Sequence, residues 1–181
     1  MEILVINASF RKGSFNKLLS DVVINHFKDK IDFTALEIEE LPYFSQDLES
    51  ALPIKVLEAS KKVVEADGIF VFSPEYNYEM PGVLKNAFDW LSRIKPDGTN
   101  SILVDKPVTI AGIGGKNATA NMQARFFDLA KFLKMKVFED TYKGILPVSV
   151  WKTGTYEVEE ETKEKLISSA TKFFEFVKEA K

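Results

Sequence analysis

Short apolar runs alternate with stretches of helical periodicity along the whole of this chain, and that alternation restricts its fold more than any other feature. "EILVIN" (2–7) and "GIFVFS" (68–73) are continuous apolar runs, the pattern of strands buried on both faces of a parallel sheet. "IDFTALEI" (31–38) alternates enough to suit a sheet edge, "PVTIAGIGG" (107–115) supplies a fourth strand, and "KVFED" (136–140) a short fifth. Between them lie helical patterns. Phe15, Leu18, Leu19, Val22 and Val23 share one side of the first, and Val56, Leu57, Ser60, Val63 and Val64 recur across 53–66. A third helix is expected over 82–92. A fourth places Met122, Phe126, Leu129 and Leu133 on one stripe, and the last turns Leu166, Ile167, Ala170, Phe173, Phe174 and Val177 inward.

Five strands alternating with five helices predict an α/β three-layer sandwich around a parallel sheet, formed by a single domain over 1–181. Right-handed crossovers leave few topologies, of which the flavodoxin-like order 2-1-3-4-5 suits five strands. In such a sheet ligands bind beyond the carboxyl ends of the strands, where strand order reverses. That point lies between the first and third strands. It brings together "ASFRKGSFN" (8–16), "SPEYNYEMPG" (73–82) and the neighbouring "GIGGKNATAN" (112–121), the three least generic loops of the sequence.

The first loop has the chemistry of a phosphate cup. Ser9, Ser14 and Asn16 offer hydrogen-bond donors, Arg11 a charged fork, and Gly13 a permissive backbone, at the start of a helix whose free N–H groups attract anions. The plainer reading makes Ser14 a helix cap and leaves Arg11 and Lys12 as solvated surface. No glycine-lysine-serine/threonine run makes it a nucleotide-triphosphate loop, and Ala8, Phe10 and Ser14 stand where a dinucleotide fingerprint needs glycine. One terminal monophosphate suits it best. In the third loop Gly112, Gly114 and Gly115 present backbone without side chains, which lets a flat ring lie close, or else form a plain strand-to-helix turn. The second loop is aromatic and stiffened by Pro74 and Pro81, so ordering it around a ligand costs less.

Composition removes several classes. With no cysteine there is no disulfide, thiolate metal site or cysteine nucleophile, and with His26 alone no multi-histidine zinc site. A net charge of −3, from 24 basic and 27 acidic side chains, gives no general attraction for nucleic acid or anionic membranes. No run approaches the roughly 20 apolar residues of a membrane span. A cytoplasmic protein is expected.

"SPEYNYEMPGVLKNAFDWLSR" closely resembles the signature of the NADPH-dependent FMN reductase family, which includes quinone, azo-dye and chromate reductases, and "ASFRKGSFNKLL" resembles that family's phosphate loop. Ala8 replaces the family's usual glycine, and the third loop carries fewer glycines than many relatives. The resemblance implies that Ser9, Arg11, Ser14, Phe15 and Asn16 hold the FMN phosphate. It places Pro74, Glu75, Tyr76 and Asn77 along the isoalloxazine ring, largely through backbone groups, and Gly112, Gly114 and Gly115 on its other side. It further implies FMN and NADPH (or NADH) as cofactors and a ping-pong reaction: hydride passes from NAD(P)H through flavin N5 to a quinone, azo, metal-oxyanion or flavin acceptor. A homodimer, sometimes a tetramer, is implied as well. A flavodoxin-type electron carrier is the rival reading, and a flavin-free module of the same fold a third.

Several residues admit a second account. Tyr78 and Met80 suit a subunit contact as well as a site, and Glu75 a helix end. Lys85, Asp89 and Arg93 read as an ion-paired solvated face, His26 as a helix-end residue, and "EVEEETKEK" (157–165) as acids favoured at a helix start.

Overall fold

A computed structural model describes residues 1–180. Strand β1 (Glu2–Asn7) leads to helix α1 (Phe15–Phe27), edge strand β2 (Asp32–Ala35), α2 (Ile54–Glu65), β3 (Gly68–Phe72) and α3 (Gly82–Leu91). β4 (Pro107–Gly114), α4 (Ala120–Phe132), β5 (Lys136–Val137), β6 (Lys143–Ile145), α5 (Val148–Thr153) and α6 (Glu160–Glu179) follow. The sheet order is β2-β1-β3-β4-β5, with every pair parallel. The order expected from the strand pattern is the one found.

Helices cover both faces, which is why the inner strands carry no polar alternation. Leu4, Ile6, Ile69, Val71, Val108 and Ile110 face α2, α3 and α4, where Val63, Phe88, Trp90 and Phe126 are fully or almost fully buried. Ile3, Val5, Phe70, Phe72 and Ile113 face α1 and α6, packed on Leu19, Val23, Phe173 and Phe174. β2 is half exposed, as a sheet edge should be.

Two elements go beyond the expected five strands and five helices. The fifth strand is only two residues long; the chain leaves the sheet at Glu139 and Asp140, whose carboxylates pair with Lys131 and Lys172 at 2.6 Å each. It then returns as β6 beside the other half of β4, pairing Gly112 with Lys143, Ile113 with Gly144 and Gly114 with Ile145. Leu146 N donates to Gly114 O at 2.8 Å, and α5 starts immediately after Pro147. β6 therefore delivers a short helix to the carboxyl rim of the sheet.

The charged faces are as read. Lys85 bonds Asp89 at 2.6 Å on the exposed side of α3, and Arg93 lies 3.7 Å from Glu49. His26 sits in the last turn of α1 with its ring 4.6 Å from that of Phe27. Among the described residues no helix is long and apolar enough to cross a membrane.

Candidate functional site at the carboxyl edge of the sheet

The ends of β1, β3 and β4 bring the three loops side by side. Ala8 N donates to Phe72 O and Ser73 N to Ala111 O, at 2.9 and 3.0 Å, so the pairing of the sheet continues into the loops themselves.

In the first loop Gly13 adopts φ +71°, a conformation that favours glycine and turns the chain into α1. Ser14, buried, caps the helix: its Oγ accepts from Lys17 N at 3.2 Å. The cap uses an acceptor lone pair and leaves the hydroxyl proton free to donate. Behind it, the N–H groups of Phe15 and Asn16 open the helix with no carbonyl four residues back inside it. Arg11 is exposed yet held, with Nη2 donating to Gly13 O at 2.8 Å and its guanidinium 4.1 Å from the centre of the Phe15 ring. Phe15 in turn meets Tyr156 edge-on at 5.8 Å, and burial pushes that phenol above its ordinary pKa. Ser9, Arg11, Lys12 and Ser14 border a cleft of about 530 Å³ on the β2 side of the loop. Asn7, at the end of β1, lines the same cleft, with its buried Oδ1 unpartnered.

Asn16 differs from expectation. Its amide is buried and faces inward: Nδ2 donates to Ile113 O at 3.1 Å, and Oδ1 accepts from Ile113 N at 2.9 Å. One side chain thereby ties the first loop to the end of β4, and what this residue can offer an anion is its backbone N–H.

The second loop folds as a tight hairpin. Tyr76 and Glu79 exchange backbone hydrogen bonds at 3.0 Å each, and Asn77 and Tyr78 between them take φ +53° and +65°, as a type I′ turn requires. Left-handed backbone is uncommon at an aromatic residue and marks a constrained site. Tyr76 and Tyr78 are exposed, and Pro74 is buried. Glu75 turns to the α4 helix end, where Oε2 accepts from Met122 N at 2.9 Å and Oε1 from Asn121 Nδ2 at 3.4 Å. The residue at the cap of that helix, Thr119, makes no side-chain cap bond, so Glu75 supplies it from the neighbouring loop. The helix-end account of Glu75 is the one its carboxylate follows.

The third loop is packed against the second at Gly112. A Cβ there would run into Ser73 O and would stand 2.7 Å from Thr119 Oγ1; at Gly114 it would stand 3.1 Å from Thr119 Cγ2. Thr119 is buried in a left-handed conformation, and a polar network holds it. Gln123 Nε2 donates to Thr119 Oγ1 at 3.1 Å and to Tyr142 O at 2.9 Å, while Thr141 Oγ1 donates to Gln123 Oε1 at 2.5 Å. Between the two loops runs a cleft of about 320 Å³, with Asn77 and Tyr78 on one side and Gly115, Lys116 and Asn117 on the other. Trp151 of α5 also lines it. Trp151 and Asn7 were missing from the sequence reading; the only local cue for Trp151 is a tryptophan in "LPVSVWKTG", between a helix-opening proline and a helix-ending glycine.

Comparison with known proteins gives the site a lineage. A 2-hydroxy-1,4-benzoquinone reductase of a Burkholderia species is 37% identical over 134 residues, covering 74% of this chain and 72% of that protein. A quinone reductase of Escherichia coli K12 is 30% identical over an alignment covering 100% of this chain and 97% of that one. Among solved structures, the flavoenzyme FerB, an NAD(P)H:acceptor oxidoreductase from Paracoccus denitrificans, superposes with a TM-score of 0.86 at 24% identity, covering 99% and 98% of the two chains. That superposition establishes the shared fold. The family match itself runs over residues 1–145, taking in all six strands and all three loops. On that match the chain belongs to the NADPH-dependent FMN reductase family, whose members are NAD(P)H-dependent enzymes with FMN as the expected cofactor.

Proposed function

We propose that this chain reduces quinone-type acceptors with NAD(P)H, using FMN held at the three loops, and that azo compounds, metal oxyanions and free flavin are further acceptors of the same site. The observation that carries it is the adjacency, on neighbouring strand ends, of a helix start with free N–H groups beside Arg11 and a cleft with Asn77 and Tyr78 on one side and Gly115 on the other. These residues fit FMN. The cup at Ser9, Arg11 and Ser14, with the backbone N–H groups of Phe15 and Asn16, suits one phosphate; Phe15 holds Arg11 in place from beneath. Of the ring-binding residues that the family resemblance implies, Glu75 and Asn77 line the cleft on one side and Gly115 on the other; Pro74 and Tyr76 shape the second loop, and Gly112 and Gly114 pack the third against Thr119.

When bound, FMN would supply two-electron hydride chemistry between NAD(P)H and the acceptor. The chain's own task is to bind, orient and bias. Glu75 lines the cleft while its carboxylate is committed to the end of α4. Lys116 has no ion-pair partner among the described residues and places a positive charge beside a cleft where electron-rich species form.

Purified protein should be yellow and should oxidise NADPH when a quinone is supplied. Because donor and acceptor use one cleft in turn, double-reciprocal plots at several fixed quinone concentrations should be parallel. Intersecting lines would remove the ping-pong step, and flavin binding without NADPH turnover would favour the electron-carrier reading. Colourless protein that gives no heat with FMN in calorimetry would end the proposal.

Arg11→Ala is expected to weaken FMN binding by about 1–3 kcal/mol, the range for a charge-assisted hydrogen bond. Unchanged affinity in calorimetry would take Arg11 out of the cup.

We further propose a homodimer, on the strength of the exposed Tyr76, Tyr78, Ile145 and Val148 near the carboxyl rim of the sheet. Light scattering should give at least twice the chain mass, with a tetramer as the larger assembly; a monomer that keeps flavin and turnover would contradict this.

A further inference from the structure

Trp151 is 63% exposed, an unusual position for so large an apolar ring, and its placement is tightly prescribed by what surrounds it. β6 lies along Gly112–Gly114, Leu146 N is bonded to Gly114 O at 2.8 Å, and Pro147 starts α5 at that point. Val150, 5% exposed, fastens α5 to the core beside Ile113 and Leu146. Gly154, at φ +70°, ends the helix and returns its N–H to Val150 O at 2.8 Å. The residue next to the Val150 anchor is therefore obliged to stand at the rim. Its indole Cζ2 comes within 3.7 Å of where a Cβ on Gly115 would be, so the ring leans over the glycine wall of the 320 Å³ cleft. Tyr78, 64% exposed and held left-handed, stands at the opposite side of the same cleft.

We propose that Trp151 is a wall of the ring cleft, a binding residue for the isoalloxazine supplied by α5 from beyond the residues that the family match covers. The inference rests on FMN occupying that cleft. A flat indole beside Gly115 gives a flat ligand an apolar surface that Lys116, Asn117 and Thr119, which line the same side, do not provide. It also explains why the rim carries an aromatic ring with no core contact of its own to make.

The test uses the two tryptophans of the chain. Trp90 is fully buried with Nε1 donating to Pro42 O at 2.7 Å, so it serves as an internal control. Protein labelled with 5-fluorotryptophan should show two ¹⁹F signals, of which only the one absent in Trp151→Phe moves when FMN is added. By calorimetry, Trp151→Ala should bind FMN roughly three- to tenfold more weakly, and Trp151→Phe close to wild type, as expected of an aromatic contact. Unaltered FMN affinity in Trp151→Ala, or a Trp151 signal that ignores FMN, overturns the inference while leaving wild-type flavin binding intact. Loss of the dimer in Trp151→Ala with FMN affinity unchanged also overturns it and makes Trp151 an interface residue. Failure of the wild-type chain to bind FMN removes both this inference and the function it rests on.

Discussion

Gly112→Ala is expected to lower the free energy of unfolding by about 3 kcal/mol, the upper range for overpacking a closed site, and to weaken FMN binding roughly tenfold or more. The added methyl meets two neighbours that cannot yield. Ser73 O belongs to a backbone whose N–H is bonded to Ala111 O at 3.0 Å, so moving it pulls on the β3–β4 pairing. Thr119 Oγ1, 2.7 Å from the ideal Cβ, is held from behind by Gln123 at 3.1 Å. Relief comes only by spreading the second and third loops, and those are the two walls of the cleft. The neighbouring glycines calibrate the effect. Gly114→Ala meets a single methyl at 3.1 Å and should cost less, and Gly115→Ala meets only the Trp151 ring at 3.7 Å, an ordinary contact. Urea denaturation and FMN titration of the three variants should rank them in that order. A Gly112→Ala protein as stable as wild type would show that the loops are not locked together at this point.

The gradient among these glycines shows what a linear reading can and cannot reach. "GIGG" suggests that bare backbone matters, but it assigns all three residues the same role. The structure divides them: Gly112 lets two loops pack, while Gly115 forms the cleft floor. The sheet order was readable because each long strand is a continuous apolar run, and from that order the meeting of the three loops follows by topology. β6 was not readable, because three residues with glycine at the centre carry no strand period, and backbone bonds to β4 hold them whatever their side chains. α5, at six residues, is too short to display a helical repeat.

Side-chain partners were not readable for a different reason. Ser, Asn and Glu near a strand end look available for a ligand, but a partner far along the chain can already occupy them. Glu75 bonds a helix 47 residues on, and Asn16 a strand 97 residues on. Arg11 escapes this because its partners, Gly13 and Phe15, are local and leave most of its donors free.

Asn16 offers the sharper test of that distinction. Asn16→Ala should cost about 2–4 kcal/mol, because it strips both partners from Ile113, whose buried N–H and C=O would each be left unsatisfied at about 1–3 kcal/mol. Ser14→Ala, which removes only a cap, should cost about 1 kcal/mol. Asn16→Asp separates the two bonds by pH. A carboxylate still accepts from Ile113 N–H but faces Ile113 O with like charge, whereas the protonated acid can donate to it. Burial and that carbonyl both raise the folded-state pKa above the ordinary aspartate value of about 3.9. The acid's contribution to stability is therefore fully present below that value and is lost as pH rises through the folded pKa, so urea midpoints should fall between about pH 4 and 7 relative to wild type. Flavin selectivity then decides what the side chain is for. An amide that only ties two loops together should, when removed, weaken FMN and phosphate-free riboflavin by the same factor. An amide that bonds the phosphate should weaken FMN alone, as Arg11→Ala is expected to do. Equal losses in Asn16→Ala beside unequal losses in Arg11→Ala would place the phosphate contact on the arginine and leave the asparagine as the brace between the cup and the sheet.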